Sequence, residues 1–152
     1  MRFEVVDVAG MRLAGLGHRG PYERIRETYA TLFPRLAALG LDQRPGFPLV
    51  AVYYDDPAVT PEVDLRSFAA VTVADGDAIG DLEELRLPGG LFLRGEVVGS
   101  HDLIGEAWGT LNEHLAASEY AKREAESFEI YVSNAPGVPD DRLRTDLYVP
   151  IA

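Results

Sequence analysis

Glu129 stands in the run SFEIYVS, residues 127–133, where side chains of two kinds alternate. Read as a strand, the run puts Phe128, Ile130 and Val132 on one face and Glu129, Tyr131 and Ser133 on the other. A carboxylate set beside tyrosine and tryptophan rings can hold an organic cation, by charge pairing and by the ring faces together. Acids also commonly occupy the solvent face of a strand, so residue types alone leave both readings of Glu129 open.

Other chemistries find little support. The three histidines, His18, His101 and His114, lack the spacing of metal ligands, and there is no cysteine to join them. The expectation is therefore no metal and no cofactor. Ser100-His101 is a pair of sequence neighbours rather than a nucleophile and its base, and no G-x-S-x-G elbow occurs. The stretch LPGGLF, residues 87–92, reads as a turn between strands and lacks the lysine of a phosphate loop. Asp55-Asp56, followed by Pro57, reads first as a turn starter and only second as a carboxylate dyad.

Charge narrows the partners. The net charge is −11, and the cations Arg19, Arg24 and Arg26 are interleaved with Glu23 and Glu27. A duplex-binding surface needs a basic patch to displace counterions from phosphate, so no direct nucleic-acid binding is expected. An acidic field favours cationic small molecules or a basic protein surface, although it also simply keeps a protein soluble. No apolar run has the length of a membrane span, and the acid-bearing N-terminus is not a signal peptide. With no disulfide in prospect, the expected location is cytoplasmic.

The elements that would position Glu129 occur twice. HRGPYERIRETYATL, residues 18–32, is echoed by VVGSHDLIGEAWGTL, residues 97–111, and VYYDDPAVTPEVDLRSFAAVTV, residues 52–73, by residues 129–151. Each copy reads strand, strand, helix, strand, strand. The first helix runs from Pro21 to about Leu39 on the stripe Ile25, Tyr29, Leu32, Leu36, with Gly40 as its stop and a kink expected at Pro34. The second runs from about Asp102 to Ala117 on Ile104, Ala107, Trp108, Leu111 and Leu115. Strands are expected at 3–8, 11–16, 49–54, 65–73, 128–132 and 143–149. The fold class expected is α+β: one domain over residues 1–152, built from two repeats (about 1–73 and about 82–152) with pseudo-two-fold symmetry. About eight antiparallel strands and two main helices would share one core. When Tyr54 is matched to Tyr131, Val52 falls on Glu129, so the second copy carries a charge where the first is apolar.

At these residues the chain resembles the GyrI-like small-molecule-binding family, which includes the bacterial DNA gyrase inhibitor protein and the effector-binding domains of multidrug-responsive regulators. HRGPYERI (18–25), VAVYYDDPAVTPEVDLR (50–66), LPGGLF (87–92), Ala107-Trp108, FEIYVSN (128–134) and TDLYVPI (145–151) carry the likeness, which is closest to the stand-alone gyrase inhibitor branch. The resemblance implies a duplicated β-α-β-β unit with a ligand cleft between the halves, a pocket glutamate at Glu129, and aromatic walls at Trp108, Tyr131, Tyr54, Tyr22 and Phe92. His101 occupies the place where many relatives have an aromatic in the second copy. The function implied is binding of amphipathic or cationic drugs and toxins, with DNA gyrase as a further partner in toxin protection. The alternative is a hydrolase of cyclopropane-containing DNA-alkylating natural products, in which Glu129 would be catalytic. No helix-turn-helix pattern precedes the domain, so the chain is not expected to be a complete transcription regulator.

Overall fold

A computed structural model describes residues 1–133 and 137–152; Asn134, which belongs to the FEIYVSN run, lies outside the described residues. The chain divides into two compact units, Met11–Leu87 and Met1–Gly10 together with Pro88–Ala152. No helix among the described residues is long and apolar enough to cross a membrane.

The unit Met11–Leu87 holds four strands and a helix: β2 (Met11–Arg19), α1 (Ile25–Leu39), β3 (Leu49–Tyr53), β4 (Arg66–Val73) and β5 (Glu83–Leu87). The strands lie in the order β3-β4-β2-β5, all antiparallel. Pro21 opens a 3-10 turn at Tyr22–Arg24 that leads into α1. The helix buries Ile25, Tyr29, Leu32 and Leu36, the three- and four-residue stripe of an amphipathic helix. It continues through Pro34 as one element and ends at Gly40, whose φ of 69° is the left-handed conformation that favours glycine. The Leu41 N–H then bonds back to the Leu36 carbonyl and closes the last turn.

Which sheet face α1 covers follows from two contacts. His18 Nδ1 lies 2.8 Å from Thr28 Oγ1 on the helix, and the Tyr53 ring lies 4.6 Å from that of Tyr22 in the turn before it. His18, Ser67 and Tyr53 are paired neighbours across β2, β4 and β3, so their face is the helix face. Gly15, Gly17, Phe68 and Val52 share the opposite face.

The other unit follows the same plan with β1 (Arg2–Val8), β6 (Gly90–Val98), α2 (Ile104–Ala116), β7 (Ser127–Tyr131) and β8 (Arg144–Pro150), in the order β1-β6-β8-β7. β5 pairs with β2 at one edge of the first unit, and β1 pairs with β6 at one edge of the other. Beneath α2, Leu93, Val97, Ala107, Leu111, Leu115, Leu147, Val149 and Ile151 form one core, with Trp108, Ile104 and Phe3 packed against it. Gly95 lets the helix come close there: a Cβ would lie 3.2 Å from a Leu111 methyl, which would have to give by a few tenths of an ångström.

Candidate functional site

Glu129 is buried to 1% exposure, a costly place for a carboxylate unless its oxygens are met by donors. One donor is Trp108: its indole Nε1–H donates to Glu129 Oε1 at 3.1 Å. The two side chains are brought together from 21 residues apart. Glu129 is on β7, paired with Leu147 of β8, and Leu147 belongs to the core beneath α2; the carboxylate therefore points to the helix side of the sheet. Trp108 lies one turn beyond Ile104 on the buried stripe of α2. The solvent-facing reading of Glu129 is thereby excluded.

Two further groups of the same unit stand on that face. Tyr131, two residues along β7, is half-buried and paired with the buried Thr145. The His101 ring lies 5.5 Å from the Tyr131 ring at a tilt of 52°. His101 is held by a tight entry into α2. The Gly99 N–H, at a φ of 133°, donates to the Leu143 carbonyl, and Ser100 Oγ accepts the Asp102 N–H at 3.3 Å. A buried carboxylate paired with an indole, and a phenol paired with an imidazole, thus stand along one face of β7. Together they can pair with a positive centre while ring faces cover its apolar substituents.

Residues 1–152 match the model of the GyrI-like small molecule binding domain from end to end. The chain belongs to this GyrI-like family. It is similar to a DNA gyrase inhibitor of Yersinia enterocolitica, with 29% identity over 97% of this chain and 96% of the relative. It is also similar to a DNA gyrase inhibitor 2 of Dickeya dadantii, with 31% identity over 66% of this chain and 67% of the relative. Among solved structures it resembles SAV2435 bound to tetraphenylphosphonium, with a TM-score of 0.71, 14% identity and coverage of 100% of this chain and 94% of that one. The last likeness is one of fold.

The remaining residues that the GyrI-like resemblance implies are placed differently from Trp108 and Tyr131. Phe92 is on the other face of its sheet. It is paired with Pro150, one step out of phase with Gly95 and Leu147, and it packs edge-on against Phe128 at 5.2 Å and Tyr148 at 6.2 Å. At 2% exposure it is a core residue, not a wall beside Glu129. Tyr22 and Tyr54 belong to the unit Met11–Leu87. The Tyr22 hydroxyl donates to the Asp55 carbonyl at 2.7 Å and accepts the Asp55 N–H at 3.0 Å, and burial pushes its pKa up. Tyr54 follows the last residue of β3 on the face away from α1, with the Arg66 guanidinium 5.8 Å from its ring centre. Asp55 is not half of a catalytic dyad. Its carboxylate grips Arg66 through both oxygens and accepts the Arg66 N–H as well, and hydrogen bonding to Arg66 holds its pKa below the usual aspartate value.

Matching Tyr54 to Tyr131 is also corrected. Tyr53 pairs with Ser67 as Tyr131 pairs with Thr145, and Ala51 pairs with Ala69 as Glu129 pairs with Leu147. Tyr53 contacts Tyr22 as Tyr131 contacts His101. The position corresponding to Glu129 is therefore Ala51, not Val52. Thr145, Tyr53 and Ala51 were missed by sequence reasoning. The signal that would have found them is the offset between Leu65-Arg66 and Leu143-Arg144, which carries Tyr53 onto Tyr131.

Proposed function

We propose that this protein binds amphipathic organic cations at Glu129, with Trp108, Tyr131 and His101 as the ring-bearing wall of the site. The observation that carries the reading is the nearly complete burial of an acid against an indole donor and beside a tyrosine. A structural carboxylate at this position would be an expensive way to fill a core that leucine fills elsewhere. A cation-binding carboxylate needs that setting, because its attraction for a positive ligand grows as water is excluded. The end-to-end match to a small-molecule-binding family supports the same reading. Similarity to gyrase inhibitors extends it to a role in protection from toxins or drugs, with gyrase as the protein partner.

The test is a titration of tetraphenylphosphonium and of neutral triphenylphosphine oxide against the wild type and Glu129→Gln, across pH 4.5 to 8. The ionised carboxylate is the form that attracts a cation, so affinity for the phosphonium is expected to fall as acid protonates it. Glu129→Gln is expected to weaken the phosphonium at least about tenfold, which corresponds to about 1.4 kcal/mol. It should spare the neutral compound and flatten the pH dependence. Equal affinities of the two proteins for the phosphonium would remove the reading. A supercoiling assay with purified gyrase, run beside the titration, tests the protein partner. Wild-type turnover of a cyclopropane-bearing alkylator that Glu129→Gln abolishes would instead make Glu129 a general base.

A further inference from the structure

We propose a second ligand site, for a small aromatic zwitterion such as a free aromatic amino acid, on the face of the Met11–Leu87 sheet that α1 does not cover. A cavity of about 400 Å³ lies there, lined among others by Gly17, Arg19, Arg66, Phe68, Glu83 and Leu85. That volume suits a small organic molecule. Pairing sets these six side-chain positions on one face: Gly17 is opposite Phe68, Arg19 opposite Arg66, Glu83 opposite Gly15 and Leu85 opposite Leu13.

The floor is apolar. Phe68 lies opposite Gly17, and Leu85 lies farther along the strand, opposite Leu13. Gly17 offers bare backbone on which a ring can lie. Gly17 has no conformational reason to be glycine, since it lacks a left-handed φ and a Cβ there would meet nothing nearer than Glu83 Oε2 at 3.6 Å. What a side chain would do is fill the cavity.

The charges are arranged by sign. Among the described residues Glu83 makes no ion pair, and its Oε2 accepts the Gly17 N–H at 3.0 Å, which holds the carboxylate at the level of Gly17. The neighbouring Glu84 is already bound by Arg12 and Arg86. Two residues farther along β2, Arg19 faces Arg66 directly across the strand pair. Like charges in that relation destabilise a sheet unless anions offset them. Asp64 pairs with Arg19 and Asp55 with Arg66, while both arginine side chains stay largely exposed. The step from Gly17 to Arg19 spans about 7 Å of strand. An ammonium on Glu83 and a carboxylate on Arg19 and Arg66 bridge that span when both belong to one α-amino acid, and its ring then rests on Phe68 and Gly17.

The site does not involve Glu129, and its failure would leave the cation reading intact. The experiment follows backbone amide shifts of the full chain by NMR while adding L-phenylalanine, phenethylamine or 3-phenylpropionate. L-Phenylalanine is expected to shift the amides of residues 17–19 and 83–85 with saturation, and to bind at least fivefold tighter than either single-charge analogue. Glu83→Gln and Arg19→Ala should each cost at least fivefold. Gly17→Val, which fits the strand, should abolish binding while leaving the rest of the spectrum unchanged, and Glu129→Gln should have no effect. Equal binding of the amine and the amino acid, retention of binding in Gly17→Val, or no saturable shift at millimolar concentration would each overturn the proposal.

Discussion

Trp108 Nε1 and Glu129 Oε1 are joined by a 3.1 Å hydrogen bond that ties α2 to β7. The indole therefore has two roles, as a ring packed against the core and as a donor to a buried acid. Two substitutions separate them. Trp108→Phe keeps most of the ring but leaves the carboxylate short of a donor, which is expected to cost about 1–3 kcal/mol. Trp108→Ala loses packing as well and should cost about 3–5 kcal/mol. Urea unfolding of both variants checks this. Trp108→Phe as stable as the wild type would show that the indole N–H contributes nothing to holding Glu129.

Ser67 offers a test of the opposite kind. Its hydroxyl is buried at 2% exposure and has no hydrogen-bond partner among the described residues. A buried hydroxyl without a partner is a net cost, so Ser67→Ala is expected to leave stability unchanged or to raise it by about 1 kcal/mol. Thermal unfolding decides the matter. A loss above about 1 kcal/mol would mean that an ordered water or a ligand meets the hydroxyl.

The acid limb of the stability curve should report Asp55. Hydrogen bonding to Arg66 depresses the folded-state pKa of Asp55 below its unfolded value. The stabilisation is therefore present above the unfolded pKa, near 4, and is lost as pH falls through the depressed folded value. Asp55→Asn should lower stability at pH 7 and make it less sensitive to acid between pH 5 and 2. Because the Arg66 side chain is largely exposed, the effect should shrink in high salt. Denaturant midpoints for the two proteins at pH 7 and pH 3 measure it, and parallel losses on acidification would mean that Asp55 does not act through its charge.

The placement of Glu129 on a strand and of Trp108 on a helical stripe was legible because each rests on local periodicity. The six strands with expected bounds agree with the observed ones to within a residue or two, except for β2, which runs on to Arg19; β5 and β6, on either side of the LPGGLF turn, had none. What local pattern did not fix was the match between copies. Both Tyr53 and Tyr54 are available to stand for Tyr131, and a one-residue slip in a strand moves every side chain to the opposite face. The pairing of Tyr53 with Ser67 makes the choice, and that information lies 14 residues away in β4. Phe92 failed for a related reason. An aromatic residue near a turn looks the same on either face, and only its register against Pro150 puts it with Phe128 and Tyr148.

Gly20 and Gly99 test how far the two units follow one set of rules. Gly20, at a φ of 118°, donates its N–H to Leu65, and Gly99, at 133°, donates to Leu143, both at 2.8 Å. Each is the last bend before a 3-10 turn and the main helix of its unit. Residues with a Cβ rarely adopt such φ values, and an alanine forced into one costs about 1–3 kcal/mol. Gly20→Ala has open space around its Cβ, so its loss should be that backbone strain alone. Gly99→Ala adds a contact with a Leu103 methyl at 2.8 Å, which a rotation of that exposed side chain can relieve. The two substitutions should therefore cost similar amounts in denaturant unfolding. Only Gly99→Ala should also weaken phosphonium binding, because it shifts the turn that carries His101 towards Tyr131. A loss of binding in Gly20→Ala as large as that in Gly99→Ala would sink this assignment of the His101 wall.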